Sequence, residues 1–230
     1  MNGYLKNFEL QINTLKDVYF ELLQPIEKKV SLNNWWLFGG GTALSMFYFN
    51  HRKSFDIDIF ITERQVFDFL DPKWFIDESK IFDNTNYRFN RFNHHLALRT
   101  KSNIKVDFLV NESIINCPIK SDILNLGFDI YVESVEDIIA KKILWRKEDN
   151  LARDIFDLAL AIVKNNNILL NLIDSRFISI DDLKKLNNAL TKLDKNIYKV
   201  EIGKIEPEIE FTKIADNAQS IIYENIKNII

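Results

Sequence analysis

Cysteine is nearly missing from this chain of 230 residues, with Cys117 the only one. A single thiol forms no intramolecular disulfide, which fits a reducing compartment; beside Pro118 it reads as a small core residue. Three histidines and that one cysteine make no recognisable zinc-ligand pattern. Glycine and proline are scarce, at six and four residues. No apolar run approaches the roughly 20 residues of a membrane span. Met1 to Glu9 lacks a basic segment followed by an apolar one, so no signal peptide is expected. The expectation is a soluble cytoplasmic protein without a membrane partner. Neither sign of charge dominates: 30 basic residues meet 33 acidic ones, a net charge of -3. That excludes a global basic field but leaves room for a local basic patch. An apolar fraction of 47% excludes disorder, and the length suits one large domain or two small ones.

The little glycine present is concentrated. Half of it falls in Gly39-Gly40-Gly41, directly before Thr42. Trp35 to Phe38 reads as a short buried strand stopped by that triplet, and Thr42 to Phe49 as a helix. Phe55 to Ile61 then alternates cleanly. Phe55, Ile57, Ile59 and Ile61 take one face; Asp56, Asp58 and Phe60 take the other. Backbone without Cβ atoms lets main-chain N–H groups approach an anion, and paired carboxylates suit a hard divalent cation. A phosphate cradle beside metal carboxylates is what nucleotidyl transfer needs. Taken alone, Asp56 and Asp58 also fit the solvated face of an edge strand. The strand, glycine turn, helix and Asp-x-Asp strand in succession favour the site.

Further along, Glu63 to Ser79 reads as a helix broken near Asp71-Pro72. Tyr87 to Phe92, His95 to Thr100 and Ile104 to Val110 read as strands, with a hairpin turn at Lys101-Ser102-Asn103. Asp107 sits among apolar neighbours in the last of these, where a neighbouring strand brings it to the other two carboxylates. Phe128 to Val132 reads as one more strand. Leu10 to Val30 has helical spacing interrupted by Pro25.

From Ser134 the pattern turns helical, so the domains are drawn at residues 1–133 and 134–230. Ser134-Val135-Glu136-Asp137 resembles a capping box. Ile138, Ile139, Lys142, Ile143 and Arg146 form one stripe, with Lys141 off it. An inward Lys142 requires a counter-charge, which a triphosphate supplies, unless it snorkels at the stripe edge. Leu151 to Val163, Asp181 to Leu193 and Thr212 to Ile229 complete the helices. Arg153 and Asp157 fit an i,i+4 ion pair, and Asp154 fits a partner for the inward lysine. Gly39 to Thr42 and Ser54 are candidate phosphate contacts. His94 and His95 are expected on a strand pointing opposite ways, as structural or exposed side chains.

Gly39-Gly40-Gly41-Thr42-Ala43-Leu44, followed by His51-Arg52-Lys53-Ser54-Phe55-Asp56-Ile57-Asp58-Ile59-Phe60, resembles the AbiEii/AbiGii toxin family of nucleotidyltransferase-like proteins. Ile139-Ala140-Lys141-Lys142-Ile143 with Arg146 is similar to that family's lysine-bearing helix. Arg153-Asp154-Ile155-Phe156-Asp157-Leu158 is similar to its Arg-Asp-x-x-Asp element. The resemblance spans residues 35–160. It implies a polymerase-β-type nucleotidyltransferase fold of the α/β (α+β) class: a small mixed sheet flanked by helices, then a helical C-terminal part that completes the active site. It implies Asp56 and Asp58 as ligands of Mg²⁺ or Mn²⁺, with Asp107 matching the third aspartate of the wider superfamily. It implies Lys142 at the triphosphate and Asp154 or Asp157 as a supporting catalytic carboxylate. Gly40, Gly41, Thr42, Arg52, Ser54 and Arg146 complete the expected nucleotide contacts. The implied activity moves a nucleoside monophosphate from a nucleoside triphosphate to an RNA such as tRNA, or to a protein. The implied role is the toxin of an abortive-infection or type IV toxin–antitoxin pair with a cognate antitoxin. Two other classes stay open: an inactive nucleotide-binding or interaction module on the same scaffold, and a protein phosphotransferase.

Overall fold

The computed structural model describes residues 7–32, 35–111 and 126–230. Cys117, expected in a core, lies outside them. The chain divides into two compact units, residues 1–46 with 55–133, and residues 47–54 with 134–230. The short segment Phe47–Ser54 therefore belongs with the helical unit, although its neighbours on both sides in sequence belong to the first.

The first unit begins with α1 (Glu9–Val18), a wider π-type turn at Tyr19–Leu23, and α2 (Gln24–Val30). Leu15, Val18, Leu22, Leu23 and Ile26 recur at helical spacing and are buried. Pro25 does not end the helix. It falls in the first turn of α2, where the preceding widened turn accommodates its missing N–H.

β1 (Trp36–Gly39) follows, then α3 (Gly40–Ala43), which continues in π-type geometry over Leu44–Phe49. The helix thus starts at Gly40, ahead of the expected Thr42. β2 (Ile57–Ile61) leads to three short 3-10 turns, Arg64–Leu70, Pro72–Trp74 and Ile76–Glu78. The expected α-helix over Glu63 to Ser79 is absent. Pro72 and an extended Asp71 break the backbone, and the Asp71 side chain caps the next turn instead. β3 (Phe82–Asn90), β4 (His95–Thr100) and β5 (Lys105–Val110) complete the unit.

The sheet order is β1-β2-β5-β4-β3, with β2 and β5 parallel and the other pairs antiparallel. One face is core: Ile57, Ile59, Leu96, Leu98, Val106 and Phe108 are buried. Phe55, expected to extend that face, precedes β2 and is 54% exposed. Of the expected strand at Phe128 to Val132, isolated bridging at Tyr131 and Val132 is what forms, with Val132 bridged in parallel to Phe38. His94 leaves the strand with φ +47 in the β3–β4 turn. The turn between β4 and β5 forms where expected, with Asn103 at φ +67.

The second unit holds α4 (Val135–Arg146), α5 (Ala152–Lys164), α6 (Ile168–Asp174), α7 (Ile180–Thr191), α8 (Lys195–Lys204) and α9 (Thr212–Lys227). Ser134 Oγ accepts the Asp137 N–H and caps α4, whereas the reciprocal capping box lies at Ser179 and Asp182 before α7. The α5 sequence is apolar nearly all round, and its residues 154–162 are buried, with α9 and α8 packed on it. No single helix among the described residues is long and apolar enough to cross a membrane.

Candidate active site

Three strands of the first unit deliver the glycine turn and two aspartates to one rung of the sheet. Gly39 of β1 pairs with Asp58 of β2, and Asp58 pairs with Asp107 of β5. Register partners on neighbouring strands project to the same face, with the strands about 4.8 Å apart. Asp58 is half-buried and Asp107 buried. Asp56 stands one residue before β2 and is half-buried. Its carbonyl accepts the Thr42 hydroxyl at 2.5 Å, so Thr42 ties α3 to the residue preceding β2.

The glycines are explained by close approach. Gly40 has φ +69, and a Cβ there would lie 2.0 Å from Asp58 Oδ2. A Cβ on Gly39 would lie 2.0 Å from Glu133 Oε2. Two carboxylates therefore press on consecutive glycines. Glu133 carries no signal in the sequence beyond its charge. Backbone bonds from Phe38 N to Tyr131 O (2.8 Å) and from Glu133 N to Phe38 O (3.0 Å) lay its segment along β1. Its buried carboxylate then accepts the Gly40 N–H at 3.3 Å. The amide expected to meet phosphate thus already meets an anion. Gly40→Ala is expected to cost about 1–2 kcal/mol from the left-handed backbone alone. It also forces Asp58 aside, so transfer activity should fall further than the urea midpoint of unfolding predicts.

Asp107 is held at both oxygens. His95 Nε2 donates to Oδ1 at 2.8 Å and Lys105 Nζ to Oδ2 at 2.5 Å. Burial pushes this carboxyl up, but the His95 and Lys105 bonds outweigh it and hold its pKa below the usual carboxylate value. His95, expected as an uninvolved histidine, is thus in contact with a candidate site residue; His94 instead accepts from Arg64 Nε at 2.8 Å. Asp58 and Asp107 fit a hard divalent cation by donor type and by adjacency on the sheet. Among the described residues no group of three such ligands is assembled closely enough to hold a metal ion.

The second unit gathers the other candidates. Asp157 on α5 is fully buried. Its Oδ1 accepts from Arg52 Nε and His51 Nε2, each at 2.7 Å, and its Oδ2 from Arg52 Nη2 at 2.8 Å. Lys142 Nζ of α4 stands 3.1 Å from Oδ2 and also bonds Asp154 Oδ1. Arg146 Nη1 lies 3.2 Å from Asp154 Oδ2. The lysine's counter-charge is therefore supplied by the chain itself, and Arg153 is not among the partners of Asp157. Lys141 is as buried as Lys142, because α4 is enclosed over residues 137–143 and has no free face. Ser54 is half-buried in the segment that belongs with this unit.

Burial pushes the Asp157 carboxyl up, yet the Arg52 and Lys142 charges and the Arg52 and His51 bonds hold it well below the usual range. Burial lowers the pKa of His51, against the raising effect of Asp157. His51 Nδ1 has no hydrogen-bond partner among the described residues. The unfolded chain then binds a proton on this histidine before the folded one does. Stability is expected to fall as pH drops below about 6.5, toward the lowered folded value. Thermal melting followed from pH 7.5 to 5 should slope more steeply in the parent than in His51→Gln.

The family described as nucleotidyl transferase AbiEii toxin, type IV TA system, matches residues 22–217. The chain belongs to this family. It is a nucleotidyltransferase of the AbiEii type, and the carboxylate rung and the Lys142 cluster both lie inside the matched span. Among solved structures, JHP933 from Helicobacter pylori aligns over 93% of this chain and 94% of its own at 15% identity and a TM-score of 0.43. MenT4, a nucleotidyltransferase toxin from Mycobacterium tuberculosis, aligns over 90% and 92% at 16% identity and a TM-score of 0.44. No curated protein matches the chain.

Proposed function

We propose that this AbiEii-family transferase moves a nucleoside monophosphate from a nucleoside triphosphate to an acceptor hydroxyl, as the growth-arresting half of a toxin–antitoxin pair. The observation that carries the reading is the rung on which Asp58 and Asp107 stand side by side next to Gly39 and Gly40. Asp58 and Asp107, with Asp56, are the ligands proposed for a divalent cation, Mg²⁺ or Mn²⁺. Such a cation, when bound, lowers the pKa of a hydroxyl and offsets phosphate charge. Gly41, Thr42 and Ser54 are proposed phosphate contacts, with Gly40 beside them but its N–H taken by Glu133. Lys142 and Arg146 bring positive charge for phosphate oxygens, and the carboxylates of Asp154 and Asp157 keep the Lys142 ammonium from being buried alone. Arg52 acts through Asp157, which it grips with two bonds. The partner expected outside the reaction is a cognate antitoxin protein.

The test incubates the purified protein with Mg²⁺ or Mn²⁺, total cellular RNA and each α-labelled nucleoside triphosphate in turn. Label entering RNA or protein with the parent but not with Asp58→Asn supports the reading and names the nucleotide. Nucleotide binding with no transfer to any acceptor overturns it.

A further inference from the structure

Asp107 arrives on its rung already holding a cation. Lys105 Nζ donates to its Oδ2 at 2.5 Å, and His95 Nε2 donates to its Oδ1 at 2.8 Å. Lys105 lies two residues before Asp107 on β5, so strand alternation puts both on one face. Each carboxylate oxygen has two lone pairs, and one on each oxygen is therefore spent on the chain itself. Oδ2 is left with an ammonium, a compact point charge, at contact distance.

The surroundings of Lys105 add to its charge. Its register partner on β4 is Arg99, whose guanidinium bonds Asn103. On the other side, the pairing of Ile57 with Val106, carried one residue back, brings Asp56 to the row of Lys105. Lys105 thus stands between Asp56 and Arg99 on the row beside the rung. A centre of two divalent cations places the ions about 3.5–4 Å apart, on shared carboxylates. With one ion shared by Asp58 and Asp107, a second needs the remaining share of Asp107. Lys105 already holds that share, and an ion there meets like charge. Glu133, the other carboxylate near the glycine turn, is committed to the Gly40 N–H.

We propose that the carboxylate rung takes one divalent cation rather than two, and that the Lys105 ammonium holds the share of Asp107 that a second cation would need. The proposal rests on the transferase reading and deepens it. Lys105 is then a positioning residue: it fixes one unit of positive charge beside Asp107 as part of the fold, with nothing to be loaded from solution. His95 keeps the carboxyl turned so that the lone pairs left on Asp107 serve the single ion with Asp58.

The test counts Mn²⁺ bound per chain by equilibrium dialysis of the full chain. Each α,β-methylene nucleoside triphosphate, which binds without being transferred, is present in turn on both sides of the membrane. The parent is expected to hold one ion and Lys105→Met two, the second at least tenfold tighter than any second ion in the parent. Lys105→Arg keeps the positive charge and should stay at one. Lys105 is partly exposed and Asp107 keeps His95 in both variants, so their melting temperatures should stay near the parent's. Two ions in the parent, or one in folded Lys105→Met, overturn the proposal and leave the transferase reading standing. Asp58→Asn tests that reading separately and should lose the parent's single ion. An ion count that Asp58→Asn leaves unchanged removes the rung as the metal site, and a parent that binds no ion overturns both.

Discussion

Asp58→Asn is expected to abolish nucleotide transfer while leaving the fold in place. Asparagine keeps the shape of the side chain, and its carbonyl oxygen can occupy the position that Asp58 Oδ2 holds against Gly40. The substitution removes the charge and turns one acceptor oxygen into a donor amide. Asp58 is half-buried within the sheet rung, so its replacement leaves no cavity. Under the proposed reaction the Asp58 carboxylate would hold the divalent cation that offsets phosphate charge, and its loss is expected to cost several kcal/mol of transition-state stabilisation. At about 1.4 kcal/mol per tenfold in rate, transfer should fall by about 10²–10³ or more. Label incorporation measures the loss, and a melting curve matching the parent's shows that the fold is intact. A variant that transfers at the parent's rate would remove Asp58 from the reaction and with it the assignment of the rung.

The sequence carried the rung because strands obey a period of two. Asp58 and Asp107 lie opposite apolar residues that alternate in β2 and β5, and pairing those strands in register brings them together. The glycine triplet was legible as a turn, but its reason was not. The contacts that demand glycine come from Asp58 and from Glu133, and Glu133 is 93 residues from Gly40 in the chain. Period failed where burial was complete. In α4 both Lys141 and Lys142 are enclosed, so a stripe that separates them has no meaning there. The cluster around Asp157 was half legible. Lys142, Asp154 and Asp157 fall at helical spacings on two helices, but His51 and Arg52 reach Asp157 from over 100 residues away. Nothing local to Arg52 marks it as the partner of Asp157 rather than of a ligand. His95 was missed for a related reason: its register partner is Leu109, and it reaches Asp107 diagonally across the sheet.

Asp157→Asn is expected to be the most destabilising of these substitutions. The carboxylate is fully buried and receives Arg52, His51 and Lys142 at once. Removing its charge takes away the carboxylate that holds the Arg52 guanidinium, itself almost entirely buried, through two bonds. Lys142 keeps Asp154. Breaking a buried pair from one side costs about 3–5 kcal/mol. Urea unfolding gives the total, and hydrogen exchange should place the loss in α4 and α5. The sign with pH follows from the depressed folded pKa. Asp157 contributes its stabilisation above the unfolded carboxylate value of about 3.9, and that contribution is lost as pH falls through the lower folded value. Neutral and mildly acidic solutions therefore keep it, and the acid weakening below about pH 6.5 belongs to His51. Stability and chemistry can be separated at this residue. Both Asp157 oxygens are taken up by Arg52, His51 and Lys142, so its predicted part is to hold Lys142 and Arg52 in place rather than to touch substrate. Asp157→Asn protein kept folded at low temperature should then lose affinity for the nucleoside triphosphate more than turnover at saturation. A collapse of turnover with affinity intact would move Asp157 from a positioning residue to a catalytic one.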